Sequence, residues 1–429
     1  LAIVREIAIQ HDAIAMLRDA INSNPRDADL MTALAQAYER QGEHDLMRDM
    51  LSQAVNASGR APAESLRYAQ LLATENKLLP AEGVLLDALR INPGEPTLLV
   101  PLGQLYVAMK DWARAEAVAS DLTSLQDPGL TNDLANLRAS ILEGQQNNGA
   151  ALSYLEKLAD GQGAQLDAKV ALIRNHLSNG RNAEALAYAK KMLQDDPNNL
   201  DVQFIYGSVE ASIGEKAEAE TAFRAIVAKD KTRSGVWMAL YQLVMADPAR
   251  KADGAKVLDE ALAALPESGE LKCAKAGLLE SEGNVDGALA IYEALYQENS
   301  SNAVVANNLA SLLSNYRSDE DSLKRAAVIA RRLKGSDYAP YQDTYGWIAS
   351  LNGDYPSALV ELEKAASGLP GDPTVHYHLA MTYLSAGRQQ DAAKGFAKVL
   401  SLVPAGDSRA FVISSKTELE KLNAAGIAE

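Results

Sequence analysis

The feature that most constrains this chain is a repeat of 34 to 36 residues that recurs eleven times between Ala28 and Val403. A period of roughly 20 to 50 residues is typical of stacked repeats, in which each unit buries its apolar face against the next one. We therefore expect a stack of similar units without a single central core. The repeats begin at Ala28, Pro62, Pro96, Asn132, Leu166, Leu200, Ser234, Gly269, Ala303, Ala339 and Pro373.

Small residues recur at two positions of the repeat, as expected where two helices approach each other closely. The eighth position is alanine or glycine in nine of the eleven repeats, with Ile173 and Tyr241 as the exceptions. The twentieth position is alanine in eight repeats. These two positions predict the contact between a first and a second helix in each unit.

Glycine and proline mark the ends of the predicted helices. Glycine lies between the two helices of six repeats, where the first helix must end and a positive φ angle is favourable. Proline closes five repeats, because it cannot continue a helix and is tolerated where the next one begins. The glycines are Gly42, Gly180, Gly214, Gly283, Gly353 and Gly387, and the prolines are Pro93, Pro197, Pro266, Pro370 and Pro404. Each repeat is therefore predicted to be a helix-turn-helix hairpin.

This pattern resembles the tetratricopeptide repeat, a 34-residue unit with small residues, a turn glycine and a terminal proline at these offsets. Its clearest copy, residues 373–404, carries Leu379, Ala380, Tyr383, Gly387, Ala392 and Phe396. The resemblance implies an all-α, right-handed superhelical solenoid of about eleven such hairpins. Residues 11–25 are predicted to be the second helix of a partial N-terminal repeat, and residues 407–423 a polar capping helix.

The repeat is least regular in the middle of the chain, which predicts a division there. Residues 144–149 and 161–163 have the composition of loops and flank the second helix of the fourth repeat, so we interpret them as a hinge. The predicted parts are residues 1–163, residues 164–406 and a cap with its tail in residues 407–429. Residues 315–322 and the turn at Asp247 and Pro248 lengthen two other repeats; tolerated loop variation is the alternative reading of all these irregularities.

The charge balance argues against nucleic acid as a partner. The chain has 41 basic and 57 acidic residues, a net charge of −16, whereas a nucleic-acid surface must neutralise phosphates. We expect partners with basic segments instead. No apolar run reaches the roughly 20 residues of a membrane-spanning helix, so no such segment is expected in this chain.

The sequence lacks the motifs that are typical of catalytic or metal-binding sites. The lone Cys273 excludes an intramolecular disulfide and a multi-cysteine zinc site. His376 and His378 are two residues apart on a predicted helix, so they point in different directions and cannot share one metal ion. No phosphate-binding loop, dinucleotide motif or nucleophile elbow is present. We therefore expect no enzymatic activity, no cofactor and no metal.

The remaining function is binding, and the resemblance implies where to look. In tetratricopeptide repeats the first helix lines the concave groove through positions 2, 5, 6, 9, 12 and 13. In the last three repeats these positions carry a distinctive set of side chains: Asn307, Asn308, Ser311, Ser314, Asn315, Asp343, Thr344, Trp347, Ser350, Thr374, Tyr377, His378, Met381 and Ser385. Asparagine amides bind an extended peptide backbone and aromatic rings give flat apolar contact. The alternative is that the asparagines are merely solvated and Trp347 packs between helices.

The groove residues and three short runs can be compared with particular kinds of tetratricopeptide-repeat protein. A two-carboxylate clamp needs basic groove residues from consecutive repeats, but Arg67 and Arg174 lie three repeats apart, which disfavours a co-chaperone of that kind. The runs at 307–313, 343–348 and 377–380 are similar to exported bacterial tetratricopeptide proteins of exopolysaccharide and exosortase systems. That resemblance implies a protein-binding scaffold in the periplasm or envelope. The alternatives are a peptide-binding chaperone or regulator in the cytoplasm and a purely structural spacer that assembles with itself.

Overall fold

A computed structural model describes residues 2–161, 166–317 and 319–427, with side chains from Asp12 onward. This part of the chain is all-helical, as predicted, with twenty-four α-helices and three short 3-10 helices. The helices are α1 (Ala2–Ser23), α2 (Ala28–Arg40), α3 (His44–Ala57), α4 (Pro62–Thr74), α5 (Leu78–Ile91), α6 (Pro96–Ala108), α7 (Trp112–Ser124), α8 (Thr131–Gly144), α9 (Asn148–Ala159), α10 (Leu166–Ser178), α11 (Asn182–Asp195), α12 (Leu200–Ile213), α13 (Lys216–Lys229), α14 (Ser234–Met245), α15 (Lys251–Ala264), α16 (Gly269–Ser281), α17 (Val285–Glu298), α18 (Ala303–Tyr316), α19 (Glu320–Ala330), α20 (Ala339–Leu351), α21 (Tyr355–Gly368), α22 (Pro373–Ser385), α23 (Gln389–Leu402) and α24 (Ala410–Ala424).

The predicted repeat register is confirmed at the level of helix starts. The first helices of ten repeats begin at the predicted residue, and the fourth begins at Thr131 instead of Asn132. The shift has a local cause, because a 3-10 helix at Pro128–Leu130 precedes α8 and the Asp127 carboxylate accepts the Gly129 N–H at 2.8 Å.

Turns between paired helices use the left-handed backbone conformation. All six predicted turn glycines have positive φ angles. In the second, third and fourth repeats the same turn position holds Asn76, Lys110 and Gln146, also with positive φ. The backbone therefore adopts this turn conformation even where the sequence does not provide glycine.

The partial N-terminal repeat consists of one helix, α1, which is longer than the helix predicted from residue 11. At the other end the predicted cap is α24, which packs on α22 and α23. In the predicted hinge, residues 162 and 163 lie outside the described residues, as does Ser318 in the ninth repeat's longer turn. The hinge therefore stays a prediction.

The described helices group into two units. One contains Leu1–Gly59 and Leu279–Glu429, and the other contains Arg60–Leu278. In each unit the first helices of successive repeats contact one another, as α18, α20 and α22 do in the former and α4, α6 and α8 in the latter. The apolar core lies between these first helices and the second helices, with Phe223 and Phe396 among its largest fully buried side chains.

Among the residues that the structure describes, no helix has the combination of length and apolar character needed to cross a bilayer.

Candidate functional site

The candidate residues lie on three neighbouring first helices within the unit formed by Leu1–Gly59 and Leu279–Glu429. Helix α20 contacts α18 on one side and α22 on the other, and α22 contacts α24. Equivalent positions of successive repeats therefore lie side by side. The candidate residues are Asn307, Asn308, Ser311 and Asn315 on α18, Asp343, Thr344 and Trp347 on α20, and Tyr377, His378 and Met381 on α22.

The two asparagines of α18 form a chain of hydrogen bonds that ends on the second helix before them. Asn307 Nδ2 donates to Asn308 Oδ1 at 3.1 Å, and Asn308 Nδ2 donates to the Tyr292 hydroxyl at 3.0 Å. One turn further along α18, Asn315 Nδ2 donates to Ser311 Oγ at 3.2 Å. These amides are therefore held in defined orientations and are not simply solvated.

His378 and Asp343 form a buried pair between α20 and α22. His378 Nδ1 lies 2.9 Å and 3.1 Å from the two Asp343 carboxylate oxygens. The histidine side chain is 5 % exposed and the aspartate side chain 14 % exposed. A carboxylate on one ring nitrogen orients the imidazole. Within the described residues no hydroxyl or thiol hydrogen-bonds this imidazole.

Aromatic rings continue across α20, α22 and α24. Trp347 stacks on His378 with ring centroids 4.4 Å apart and planes inclined by 11°. Tyr377 lies 6.3 Å from Trp347 and 5.8 Å from Phe411, both in tilted contact. Rings at these separations attract through their quadrupoles. The three helices thus share one continuous aromatic surface.

Two polar atoms of this region have no hydrogen-bond partner in the described part of the chain. They are Asn307 Oδ1, an acceptor, and Trp347 Nε1, a donor. An unpartnered buried polar atom costs free energy, about 1 to 3 kcal/mol in proteins. Both atoms are shielded from solvent by the packing around them.

Three of the predicted residues serve the packing of the hairpins. Thr344 is 5 % exposed, and its neighbour in register, His378, is 4 % exposed. Met381 packs against the cluster around Ala380 and Phe396. Of the other predicted residues, Asn315 is exposed, and Asn307, Asn308, Ser311, Asp343, Trp347 and Tyr377 are half-buried.

Sequence reasoning missed three residues of this surface: Tyr292, Phe411 and Ser414. Phe411 lies 34 residues after Tyr377, so the repeat period itself pointed to it. The interpretation of residues 407–423 as a cap hid this signal. In the structure the Tyr377 hydroxyl donates to Ser414 Oγ at 3.3 Å, which ties the cap to the candidate site. Nothing in the sequence indicated Tyr292, because it lies on a second helix.

The C-terminal end of this surface carries a basic group. Arg409 lies over the Phe411 ring at 4.8 Å and pairs with Asp407 at 2.6 Å. Hydrogen bonds from the Arg409 guanidinium, followed by the Arg409 backbone N–H, lower the pKa of the Asp407 carboxyl. This ion pair fixes the start of α24, where Phe411 enters the aromatic surface.

Cys273 lies on α16 in the other unit and is half-buried. Burial raises the pKa of its thiol, and the Glu270 carboxylate raises it further. The thiolate, which is the reactive form, is therefore disfavoured. Among the described residues no group of three or more His, Cys, Asp or Glu side chains could hold a metal ion.

Comparison with protein-family models identifies tetratricopeptide repeats in three segments of the chain. One tetratricopeptide-repeat model matches residues 176–243, and a second matches residues 11–62 and 249–303. Among curated proteins, the chain is 22 % identical over 416 residues to cellulose synthase operon protein C of Pseudomonas fluorescens strain SBW25. That match covers 92 % of this chain and spans only 29 % of the relative's length.

Two solved structures are similar to this chain at low sequence identity. The crystal structure of the anaphase-promoting-complex hetero-tetramer Cut9-Hcn1 matches with 14 % identity and a TM-score of 0.42, covering 97 % of this chain and 94 % of that one. Yeast Tom70 matches with 16 % identity and a TM-score of 0.42, covering 98 % and 93 %.

The helix register, the left-handed turns and the family models agree. The chain therefore carries tetratricopeptide repeats, and the part of it that the structure describes is all-helical.

Proposed function

We propose that this chain is a non-enzymatic scaffold that binds a segment of a partner protein along α18, α20, α22 and α24. We further propose that it does so in the bacterial envelope, within an assembly for polysaccharide export or secretion. The observation that supports the binding site is the continuous surface of oriented amides, the Asp343 carboxylate and aromatic rings.

The proposal for the envelope draws on a separate observation. The relative from Pseudomonas fluorescens is the product of a cellulose synthase operon, and 92 % of this chain aligns with part of it. A scaffold for such an assembly would hold other proteins in place while they handle the polymer. The net charge of −16 favours partners with basic segments at the contact.

The test is capture of the partner from the native cell in mild detergent. Wild type is compared with the double variant Asn308→Ala/Trp347→Ala, and bound proteins are identified by mass spectrometry. We expect wild type to retain envelope proteins of polysaccharide export and the double variant to lose them. Val360→Ala is the matched control, because Val360 is an exposed apolar residue on α21, outside the row of first helices.

Direct titration with the purified partner completes the test. We expect the double variant to bind about tenfold more weakly or worse, a difference of about 1.4 kcal/mol, and Val360→Ala to bind like wild type. Raising NaCl from about 0.1 to 0.5 M should weaken binding of a basic segment. Equal retention by wild type and the double variant would move the interface elsewhere. Capture of only soluble peptides would favour a cytoplasmic chaperone.

A further inference from the structure

A cleft outside the row of first helices lies in the unit formed by Arg60–Leu278. It has a volume of about 610 Å³ and is lined by the second helices α11 and α13, together with residues of α12. Leu193 on α11 and Pro197 in the turn after it give apolar contact, and Tyr206 on α12 contributes an aromatic ring. Tyr206 is the seventh residue of its repeat and not a groove position, so this cleft is separate from the groove of the first helices.

One face of α13 lines the cleft and carries an ordered pattern of charge. The residues of this face are Glu218, Ala222, Ala225 and Lys229. Their spacings of four, three and four residues place them on the same side of the helix. Glu218 and Lys229 are therefore about 16.5 Å apart along the axis, at about 1.5 Å per residue. The face is acidic at one end, basic at the other, and has small side chains between.

The two charges of this face have no ionic partner in the part of the chain that the structure describes. Glu218 and Lys229 are both exposed, and neither forms a salt bridge or a side-chain hydrogen bond there. Other charges of the same helix are paired, because Glu220 binds Arg224 and also Arg250. The charges at the cleft are therefore available to groups outside the chain.

This face is complementary to itself in the antiparallel direction. The midpoint between Glu218 and Lys229 is also the midpoint between Ala222 and Ala225. When a second α13 lies antiparallel across this midpoint, each Glu218 meets a Lys229 and each Ala222 meets an Ala225. Alanine at the crossing allows the two axes to approach within the usual 8 to 10 Å of packed helices. Antiparallel helices also bring opposite ends of their dipoles together.

We propose that a second copy of this chain binds in the cleft, with α13 of each copy against α11 and α13 of the other, about a twofold axis. Such a contact uses the same patch on both copies and closes on itself, so it gives a dimer and not an extended chain of copies. The cleft lies in a different unit from the candidate site described above, and the proposal does not rest on the proposed function.

The test measures self-association of the 429-residue chain by sedimentation equilibrium. In about 0.15 M NaCl, repulsion between two chains of net charge −16 is screened beyond about 8 Å, whereas charges in contact still interact. We expect the mass of wild type to rise from one chain towards two as the protein concentration increases to about 200 µM. Lys229→Glu places a carboxylate opposite each Glu218, and Glu218→Lys places an ammonium group opposite each Lys229. Each should raise the dissociation constant of the dimer at least about tenfold.

Mixing the two variants separates a lost contact from a lost fold. In an equimolar mixture of Glu218→Lys and Lys229→Glu, one copy of each restores opposite charges at both ends of the contact. We therefore expect the mixture to form dimers at concentrations where each variant alone is monomeric. The matched control is Lys216→Glu, which makes the same charge change as Lys229→Glu at an exposed residue of α13 that does not line the cleft.

Lys216→Glu should associate like wild type, as should Asn308→Ala/Trp347→Ala. The proposal is overturned if wild type is monomeric at the highest concentration, if Lys216→Glu weakens association as much as Lys229→Glu, or if the mixture of the two variants stays monomeric. Loss of association in Asn308→Ala/Trp347→Ala would also overturn it, because the contact between copies would then involve the candidate site.

Discussion

At the scale of single residues, the close approach of helices depends on glycines that have no Cβ atom at the eighth position of the repeat. A Cβ atom on Gly346 would lie 2.7 Å from Leu362 Cγ and 3.2 Å from the Ala358 carbonyl oxygen. Gly103 and Gly207 are in the same position of their repeats. An added Cβ on Gly207 would meet Phe223 of the paired helix, and one on Gly103 would meet Val118 of the paired helix and Leu137 of the next first helix. This is the steric reason for the small eighth position. Gly346 also precedes Trp347, so the close approach of α20 and α21 positions the candidate site.

We predict that Gly346→Ala destabilises the protein. Crowding of a well-packed contact costs about 1 to 3 kcal/mol. Gly277→Ala is the matched control, because Gly277 is also helical and an added Cβ would meet nothing within 4 Å. There the change should stabilise by about 0.5 to 1 kcal/mol through helix propensity. Thermal unfolding followed by circular dichroism measures both. Equal midpoints for the two variants would contradict the steric explanation.

At the scale of elements, an ion pair links the second helix of the sixth repeat, α13, to the turn that precedes the second helix of the seventh, α15. Arg250, in the 3-10 helix Pro248–Arg250, donates to both Glu220 carboxylate oxygens at 2.7 and 3.1 Å, and Arg224 adds a bond at 2.9 Å. Hydrogen bonding by Arg250 is the main cause that lowers the Glu220 pKa from 4.5 to about 2. The longer turn that begins at Asp247 and Pro248 thus carries a contact between two repeats.

We predict a stability loss in acid that depends on Glu220. Its pKa is lower in the folded than in the unfolded state, so the stabilisation is complete above about pH 4.5 and is lost as pH falls towards about 2. Its size should be about 1 to 2 kcal/mol after solvent screening. Urea unfolding of wild type and Glu220→Gln at pH 6 and pH 3 measures it. The difference in the free energy of unfolding between wild type and Glu220→Gln should be smaller at pH 3 than at pH 6. An equal difference at both pH values would contradict the role given to Glu220.

At the scale of the whole molecule, the unit of Leu1–Gly59 and Leu279–Glu429 joins residues distant in sequence. Helix α1 contacts α19, and α2 contacts the 3-10 helix Arg331–Leu333. Arg40 Nη1 donates to Ser301 Oγ at 3.1 Å, and His44 Nε2 hydrogen-bonds the Lys334 carbonyl oxygen. Gly42 lies at the centre of this contact, where an added Cβ would overlap the Arg331 carbonyl.

We predict that Gly42→Ala separates these segments. Gly180→Ala is the matched control: both turn glycines have a φ of 69°, but an added Cβ at Gly180 meets nothing within 4 Å. Both variants bear the cost of a left-handed alanine, about 1 kcal/mol, and only the first also loses the contact. Hydrogen exchange measured by mass spectrometry should accelerate in residues 300–335 for Gly42→Ala alone. Similar exchange in both variants would show that the contact contributes nothing.

The sequence by itself determined the helical repeat, because its signals are local. Helix starts, turn glycines and small contact positions follow from backbone sterics within a few residues, and ten of the eleven predicted repeat starts are first residues of helices. It also placed the candidate residues on adjoining helices. Only the tertiary structure decided which atoms meet: the His378 to Asp343 hydrogen bond, Phe411 beside Tyr377, Arg250 on Glu220, and Gly42 against Arg331. The physical reason is that a period sets the register along a chain, whereas side-chain rotamers and contacts between distant repeats depend on packing in three dimensions.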